Sequence, residues 1–103
     1  NDLRCGDCVF SQNRLTLHCN GRETELSKTE AGVIRIMFQN YPDVVSREDL
    51  LNEIWDDDSF VEENTLNVAI SRIRKRLESI GSALVVKPVR GVGYRIGDAG
   101  HEK

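Results

Sequence analysis

The sequence lacks the signals of a membrane-spanning or secreted protein. Its 103 residues contain no apolar run near the roughly 18 residues of a membrane span, and no basic region followed by an apolar signal segment opens the chain. Only two prolines are present, 39% of the residues are hydrophobic and 30% are charged. This composition excludes disordered and collagen-like proteins. We therefore expect one globular, cytoplasmic domain, and the absence of methionine at Asn1 leads us to expect a piece of a longer protein.

Cysteine is scarce and odd in number, with three residues, which argues for reduced thiols rather than a disulfide framework. Cys5, Cys8, His18 and Cys19 are four potential zinc ligands within fifteen residues. Residues i and i+3 of one extended strand point to opposite faces, and no glycine follows the second cysteine, as it would in a zinc knuckle. We interpret the cysteines as small buried residues of a sheet and predict no metal and no cofactor.

Histidine is rarer still, and this bears on catalysis. Only His18 and His101 are present, and no set of acid, base and nucleophile can be grouped from the motifs, so we predict no enzymatic activity. The acidic run from Asp56 to Glu63 lacks the calcium-loop pattern with its central glycine. It predicts a solvated loop in which Phe60 and Val61, if exposed, contact a protein partner.

The most informative stretch runs from Asn64 to Ile80 and carries two patterns on one predicted helix. At 3.6 residues per turn, five aliphatic residues form one continuous stripe that requires a core: Leu66, Ile70, Ile73, Leu77 and Ile80. The opposite side holds Asn64, Val68, Ser71, Arg72 and Lys75, with Asn67 and Arg74 on its flank. Arginine can bond guanine, asparagine can bond adenine and an apolar side chain can touch the thymine methyl group, so this face fits the major groove of DNA.

Charge is distributed unevenly along the chain. The net charge of −3 is unusual for a nucleic-acid binder. Residues 72–95, however, contain seven basic residues and one acid, a sum of +6, so the remainder carries −9. This polarity predicts one phosphate-attracting end, while the acidic remainder serves solubility or a protein partner.

The other elements follow from local patterns. Residues 3–26 predict three short antiparallel strands: the first ends at Val9 and Phe10, the second alternates at Leu15 and Leu17, and the third covers Glu23–Leu26. Two helices are predicted by capping boxes. The first starts at Ser27–Glu30, runs to about Asn40 and buries Ile34, Met37, Phe38 and Tyr41; the second starts at Ser46–Asp49 and buries Leu50, Leu51, Ile54 and Trp55. Two apolar runs around Arg90 and Gly91 predict a C-terminal β-hairpin with a basic tip, followed by a frayed tail over residues 97–103.

Together these elements resemble the C-terminal DNA-binding effector domain of OmpR/PhoB-type response regulators, an α+β winged helix-turn-helix. The motifs that carry the resemblance are Leu26–Glu30, Val44–Leu51, Ile54–Trp55, Asn64–Val68, Ile70–Leu77 and Val89–Arg95. The Trp-Asp-Asp-Asp stretch and Asn64-Thr65-Leu66 look most like regulators of envelope stress or of cationic antimicrobial peptides. We expect the domain to cover residues 1–97, with 98–103 as a polar tail.

The resemblance implies a site and a set of partners. The third helix would enter the major groove, and Arg90 of the wing an adjacent minor groove. The predicted DNA-binding residues are Asn64, Asn67, Val68, Ser71, Arg72, Arg74, Lys75, Arg76, Lys87, Arg90 and Tyr94. The loop between the second and third helices would meet RNA polymerase through Asp57, Asp58, Phe60, Val61 and Glu62. Further implied partners are a receiver domain, a sensor histidine kinase and a second copy in a head-to-tail dimer on DNA. The alternative is a winged-helix protein-interaction module that acts through its acidic loop.

Overall fold

The computed structural model describes residues 2–55 and 63–98, and their order of elements confirms the predicted winged helix with an N-terminal sheet, three helices and a C-terminal hairpin. The strands are β1 (Asp2–Cys5), β2 (Cys8–Ser11), β3 (Thr16–Cys19), β4 (Arg22–Glu25), β5 (Val45–Ser46), β6 (Leu84–Val89) and β7 (Gly93–Asp98). The helices are α1 (Lys28–Asn40), α2 (Arg47–Trp55) and α3 (Glu63–Ser79). None of the helices in the described ranges combines the length and the apolar composition that a membrane span requires.

The N-terminal sheet is an antiparallel meander in the order β1-β2-β3-β4, and it has one strand more than predicted. The single strand expected to end at Phe10 is a hairpin, because Gly6 turns the chain at a φ of +56° that favours glycine. Cys5 consequently lies opposite Cys8 on the neighbouring strand. Both are buried, so the expectation that their side chains point to opposite faces was wrong.

Helix α1 begins as its sequence predicts. The Ser27 hydroxyl accepts the Glu30 N–H at 3.2 Å, and the Glu30 carboxylate accepts the Ser27 N–H at 3.0 Å, which completes the capping box. Its core face includes the predicted Ile34, Met37 and Phe38. Tyr41 was wrongly assigned to that face: it follows the last helical residue as the C-cap and is 36% exposed.

Helix α2 starts at the second predicted cap, where the Asp49 N–H donates to the Ser46 hydroxyl at 3.0 Å. Leu50 and Ile54 are buried and Leu51 packs against the core. The predicted burial of Trp55 concerns a side chain outside the described part. Just before α2, β5 pairs with β7 and so ties the helix to the wing.

The wing is the hairpin β6–β7, which with β5 forms a sheet in the order β5-β7-β6. Strand β7 runs to Asp98, so residues 97 and 98 belong to the sheet rather than to a frayed tail. The remaining tail residues, 99–103, lie outside the described part. The stripe of α3, together with Leu84, Val86 and Ile96 of the wing, joins the single core between the two sheets and the helices.

Candidate nucleic-acid interface

Helix α3 has a buried side and an exposed side that correspond to its two predicted faces. The stripe Leu66, Ile70, Ile73, Leu77 and Ile80 is at most 2% exposed, which confirms it as the core side. The other face lies at the surface, and its exposed members are Asn64, Asn67, Val68, Ser71, Arg72, Arg74 and Lys75. Amides, a hydroxyl and cations therefore project from a helix whose back is fixed in the core, which is the arrangement that reads base edges in a major groove.

An open groove of about 400 Å³ lies between this face and the start of α1. Val68, 40% exposed, lines it together with Asn64 and Arg72 of α3 and with Ser27 and Thr29 from the α1 side. The apolar Val68 side chain is thus surrounded by polar groups at the surface. The sequence did not single out Thr29 as a site residue, because only the packing of α1 against α3 brings it there.

Arg74 connects α3 to the wing. Its Nε and one terminal nitrogen donate to the Val86 carbonyl oxygen at 3.2 and 3.0 Å. This fork uses part of the guanidinium, which has five N–H donors in all. Arg74 thus has a structural role at the base of the wing as well as an exposed position on the α3 flank.

Arg76 connects α3 to α1. Its Nε lies 2.8 Å from Glu30 Oε1, and a terminal nitrogen lies 3.5 Å from the Thr24 hydroxyl. The Glu30 side chain is 1% exposed and that of Arg76 is 35% exposed. A residue that the sequence assigned to phosphate contact is therefore the partner of a buried carboxylate in the fold.

The wing presents its predicted basic tip. Arg90 is exposed in the turn between β6 and β7, next to Gly91 with a φ of +76°, and the Val92 N–H closes the turn on the Val89 carbonyl at 2.9 Å. Val92 is 50% exposed and was not among the predicted site residues. The sequence did indicate the exposure of Val92, because an apolar residue between two glycines of a turn has few contacts with the core available to it.

The two other predicted wing residues lie on its strands. Lys87 and Tyr94 are half-buried, and the Tyr94 ring packs against the core. The Arg47 N–H of α2 donates to the Val92 carbonyl oxygen at 2.9 Å, which fixes the tip against the start of α2. The +6 segment 72–95 thus consists of the second half of α3, its connection and most of the wing.

The predicted polymerase-contact residues Asp57, Asp58, Phe60, Val61 and Glu62 lie outside the described residues. Their assignment stays a prediction. The same holds for the acidic loop of the alternative interaction module, which occupies the same segment.

Comparison with known proteins agrees with this geometry. Residues 21–96 match the family described as transcriptional regulatory protein, C terminal. The transcriptional regulatory protein YxdJ of Bacillus subtilis is 36% identical over 83 residues, covering 81% of this chain and 36% of that protein. The phosphate regulon transcriptional regulatory protein PhoB of Rhizobium meliloti is 34% identical over 94 residues, covering 91% and 41%. The chain thus spans about two fifths of the length of such curated relatives.

Solved structures show the same fold. The C-terminal domain of the nisin resistance regulator NsrR, a lantibiotic response regulator, superposes with a TM-score of 0.79 at 36% identity, over 93% of this chain and 96% of that one. The DNA-binding domain of the response regulator AdeR, solved with an intercistronic region, gives 0.79 at 26% identity, over 92% and 98%. The chain therefore belongs to the family of transcriptional regulatory protein C-terminal domains, the DNA-binding domains of OmpR/PhoB-type response regulators.

Proposed function

We propose that this domain binds specific double-stranded DNA by placing the outward face of α3 in the major groove and the tip of the wing in an adjacent minor groove. The observation that carries the proposal is the exposure of Asn64, Val68, Ser71 and Arg72 on a helix whose opposite stripe is wholly buried. These side chains match the donors, acceptors and methyl groups that base pairs display in the major groove. The family consists of transcription regulators, not of enzymes.

The helix has suitable dimensions. Seventeen residues make a rod about 26 Å long at 1.5 Å per residue, and a major groove about 12 Å wide admits one helix. Arg72 lines both the groove next to α1 and the neighbouring surface formed with Lys75, Arg76 and Ser79. We assign base contacts to Asn64, Val68, Ser71 and Arg72, with Asn67 at the edge of this set.

Phosphate contacts follow from the cations around that face. Lys75 is exposed on α3, and Lys87 lies on the wing strand β6. Phosphate contacts from these two lysines would set the affinity for DNA and make it depend on the salt concentration. Arg74 and Arg76 already donate to groups of the fold, so we assign them a smaller share through their remaining N–H groups. Tyr94 supports the wing from the core side.

We further propose that the domain is the output part of a two-component response regulator. A receiver domain, a sensor kinase, RNA polymerase and a head-to-tail second copy would be its partners. The likeness to the lantibiotic response regulator NsrR supports an envelope-stress or antimicrobial-peptide response as the signal. Footprinting on the selected operator tests the dimer, since a head-to-tail pair protects two direct repeats about one helical turn apart.

The experiment begins with selection of bound sequences from a random DNA pool, followed by titration of specific and random duplexes at several salt concentrations. We expect Arg72→Ala to weaken specific binding by about 1–3 kcal/mol and to relax one base position. Lys75→Ala should weaken binding to the specific and the random duplex alike. It should also reduce the slope of the logarithm of the binding constant against the logarithm of the salt concentration by about 1.

Arg90→Ala tests the wing separately. We expect this variant to bind the selected DNA with lower affinity, because it loses the contact in the minor groove next to the site. Arg14→Ala is the matched control, because it removes an exposed cation from the turn between β2 and β3, outside α3 and the wing. If neither Arg72→Ala nor Arg90→Ala differs from Arg14→Ala, the proposed docking is wrong. An absence of any duplex binding would favour the interaction module instead.

A further inference from the structure

A cluster of metal-ligand atoms lies at the N-terminal sheet, away from the outward face of α3. One carboxylate oxygen of Asp7 and the sulfurs of Cys8 and Cys19 all lie within 4.8 Å of one another. The cysteines come from neighbouring strands, where Cys8 pairs directly with Cys19, and Asp7 comes from the β1–β2 turn. None of the three residues has a role in the proposed DNA binding.

The Ser82 hydroxyl lies beside these three ligand atoms. The Ser82 hydroxyl, in the connection between α3 and β6, lies 3.0 Å from Cys8 Sγ and donates to Asp7 Oδ1 at 2.7 Å. Cys8 Sγ is 3.5 Å from the same Asp7 oxygen. In a tetrahedral zinc site with bonds of about 2.3 Å to sulfur and about 2.0 Å to oxygen, a sulfur and an oxygen ligand stand roughly 3.5 Å apart. The Cys8–Asp7 separation already has this value.

The ligand atoms are oriented by neighbours, as ligands of protein metal sites are. The Ala83 N–H donates to Asp7 Oδ2 at 2.9 Å, which turns Oδ1 toward the sulfurs. The Leu84 N–H donates to the Ser82 hydroxyl at 3.0 Å. The side-chain amide of the exposed residue Asn20 donates to Cys19 Sγ at 3.3 Å.

We propose that Asp7, Cys8 and Cys19 bind a thiophilic divalent cation of the zinc class, with a water molecule as the fourth ligand and the Ser82 hydroxyl as a hydrogen-bond partner of Asp7. Two sulfurs and a carboxylate select a borderline-soft ion over magnesium or calcium, which prefer oxygen alone. His18 takes no part, since it is exposed while Leu17 and Cys19 on either side of it are buried. The bound ion would join the β1–β2 turn to β3, and Asp7 would link both to the connection between α3 and β6 through its hydrogen bonds with Ser82 and Ala83.

Binding of the ion requires the thiolate forms of Cys8 and Cys19. A coordinating thiol is deprotonated outright by the metal charge, so each binding event displaces the thiol protons into solvent.

The test uses the reduced 103-residue chain, titrated with cobalt(II) as a spectroscopic probe and then with zinc as competitor. We expect one equivalent of cobalt to give the visible bands of a tetrahedral site and ultraviolet thiolate charge-transfer absorption. Zinc should abolish both, since it binds such sites more tightly than cobalt. Cys8→Ser and Cys19→Ser should remove the charge-transfer bands, and Asp7→Asn should weaken cobalt binding by more than about tenfold.

Cys5→Ser is the matched control, because Cys5 is an equally buried thiol opposite Cys8 but outside the cluster. It should keep the spectrum and the affinity. Thermal unfolding with and without zinc is the second measurement: the melting temperature of the parent and of Cys5→Ser should rise with zinc concentration, and that of Asp7→Asn should rise much less. Absence of cobalt bands in the folded parent, or equal loss in Cys5→Ser, would overturn the proposal.

Discussion

The ion pair between Arg76 and Glu30 allows the sharpest test of how α3 is held. Glu30 is 1% exposed, its Oε1 accepts from Arg76 and from the Ser27 N–H, and its Oε2 has no hydrogen-bond partner among the described residues. The proposed change is Arg76→Met, which keeps much of the apolar stem and removes the guanidinium. The Glu30 carboxylate would then remain buried with its principal cation gone.

The expected cost follows from the environment of the two groups. Removing one partner of a fully buried ion pair costs about 3–5 kcal/mol, whereas an exposed pair contributes about 0–1 kcal/mol. Here one partner is buried and the other is about one-third exposed, so we expect a loss of about 2–3 kcal/mol, between these limits. For a domain of this size that corresponds to a fall in melting temperature of roughly 10–20 °C.

Thermal and urea unfolding, followed by circular dichroism, measure this loss. Lys75→Met is the matched control, because Lys75 is the adjacent exposed cation of the same helix and should change stability by less than about 0.5 kcal/mol. Combining Arg76→Met with Glu30→Gln should recover part of the loss, which a double-mutant cycle reports as a coupling energy. Equal stability of Arg76→Met and Lys75→Met would refute the assignment of Arg76 to the fold.

Three further stability predictions can be checked by the same unfolding measurements. Ser27→Ala removes the side-chain half of the capping box and should cost about 0.5–2 kcal/mol, whereas Ser27→Asp should retain most of it. Gly93→Ala should destabilise strongly and loosen the wing, because the added Cβ would lie 2.0 Å from the Val45 carbonyl oxygen; Gly91→Ala, with φ +76° and no atom within 4 Å, should cost only about 1–3 kcal/mol. Ile73→Ala in the α3 stripe, fully buried, should cost about 2–5 kcal/mol, and no loss there would contradict the assigned core face.

Much of the fold could be predicted because its determinants are local. The capping box of α1 requires only Ser27 and Glu30 three residues apart, and the stripe of α3 requires only helical periodicity. The exposure of Arg72 on the opposite side follows from the same geometry. A helix with one apolar and one polar face packs its apolar face against the core of the protein. The sequence alone therefore predicts which side of α3 faces outward.

The parts that could not be predicted depend on contacts between residues distant in the chain. Cys5 and Cys8 are three positions apart, and only the turn at Gly6 decides that they lie on two strands with a common buried face. Arg76 lies on the boundary between the two faces of α3. Its role is set by Glu30, 46 residues earlier, and helical periodicity contains no information about that partner.

The two arginines on the flanks of α3 bear on the proposed DNA binding even though they already donate to groups of the fold. Arg74 holds the wing through the Val86 carbonyl, and Arg76 holds α1 through Glu30. The α3 face, the wing and the start of α1 therefore have fixed relative positions before DNA arrives. Association loses free energy wherever groups must be ordered on binding, and a surface ordered in advance avoids that loss. In the proposed complex, Arg74 and Arg76 would therefore strengthen recognition by keeping Arg72 and Arg90 at a constant separation.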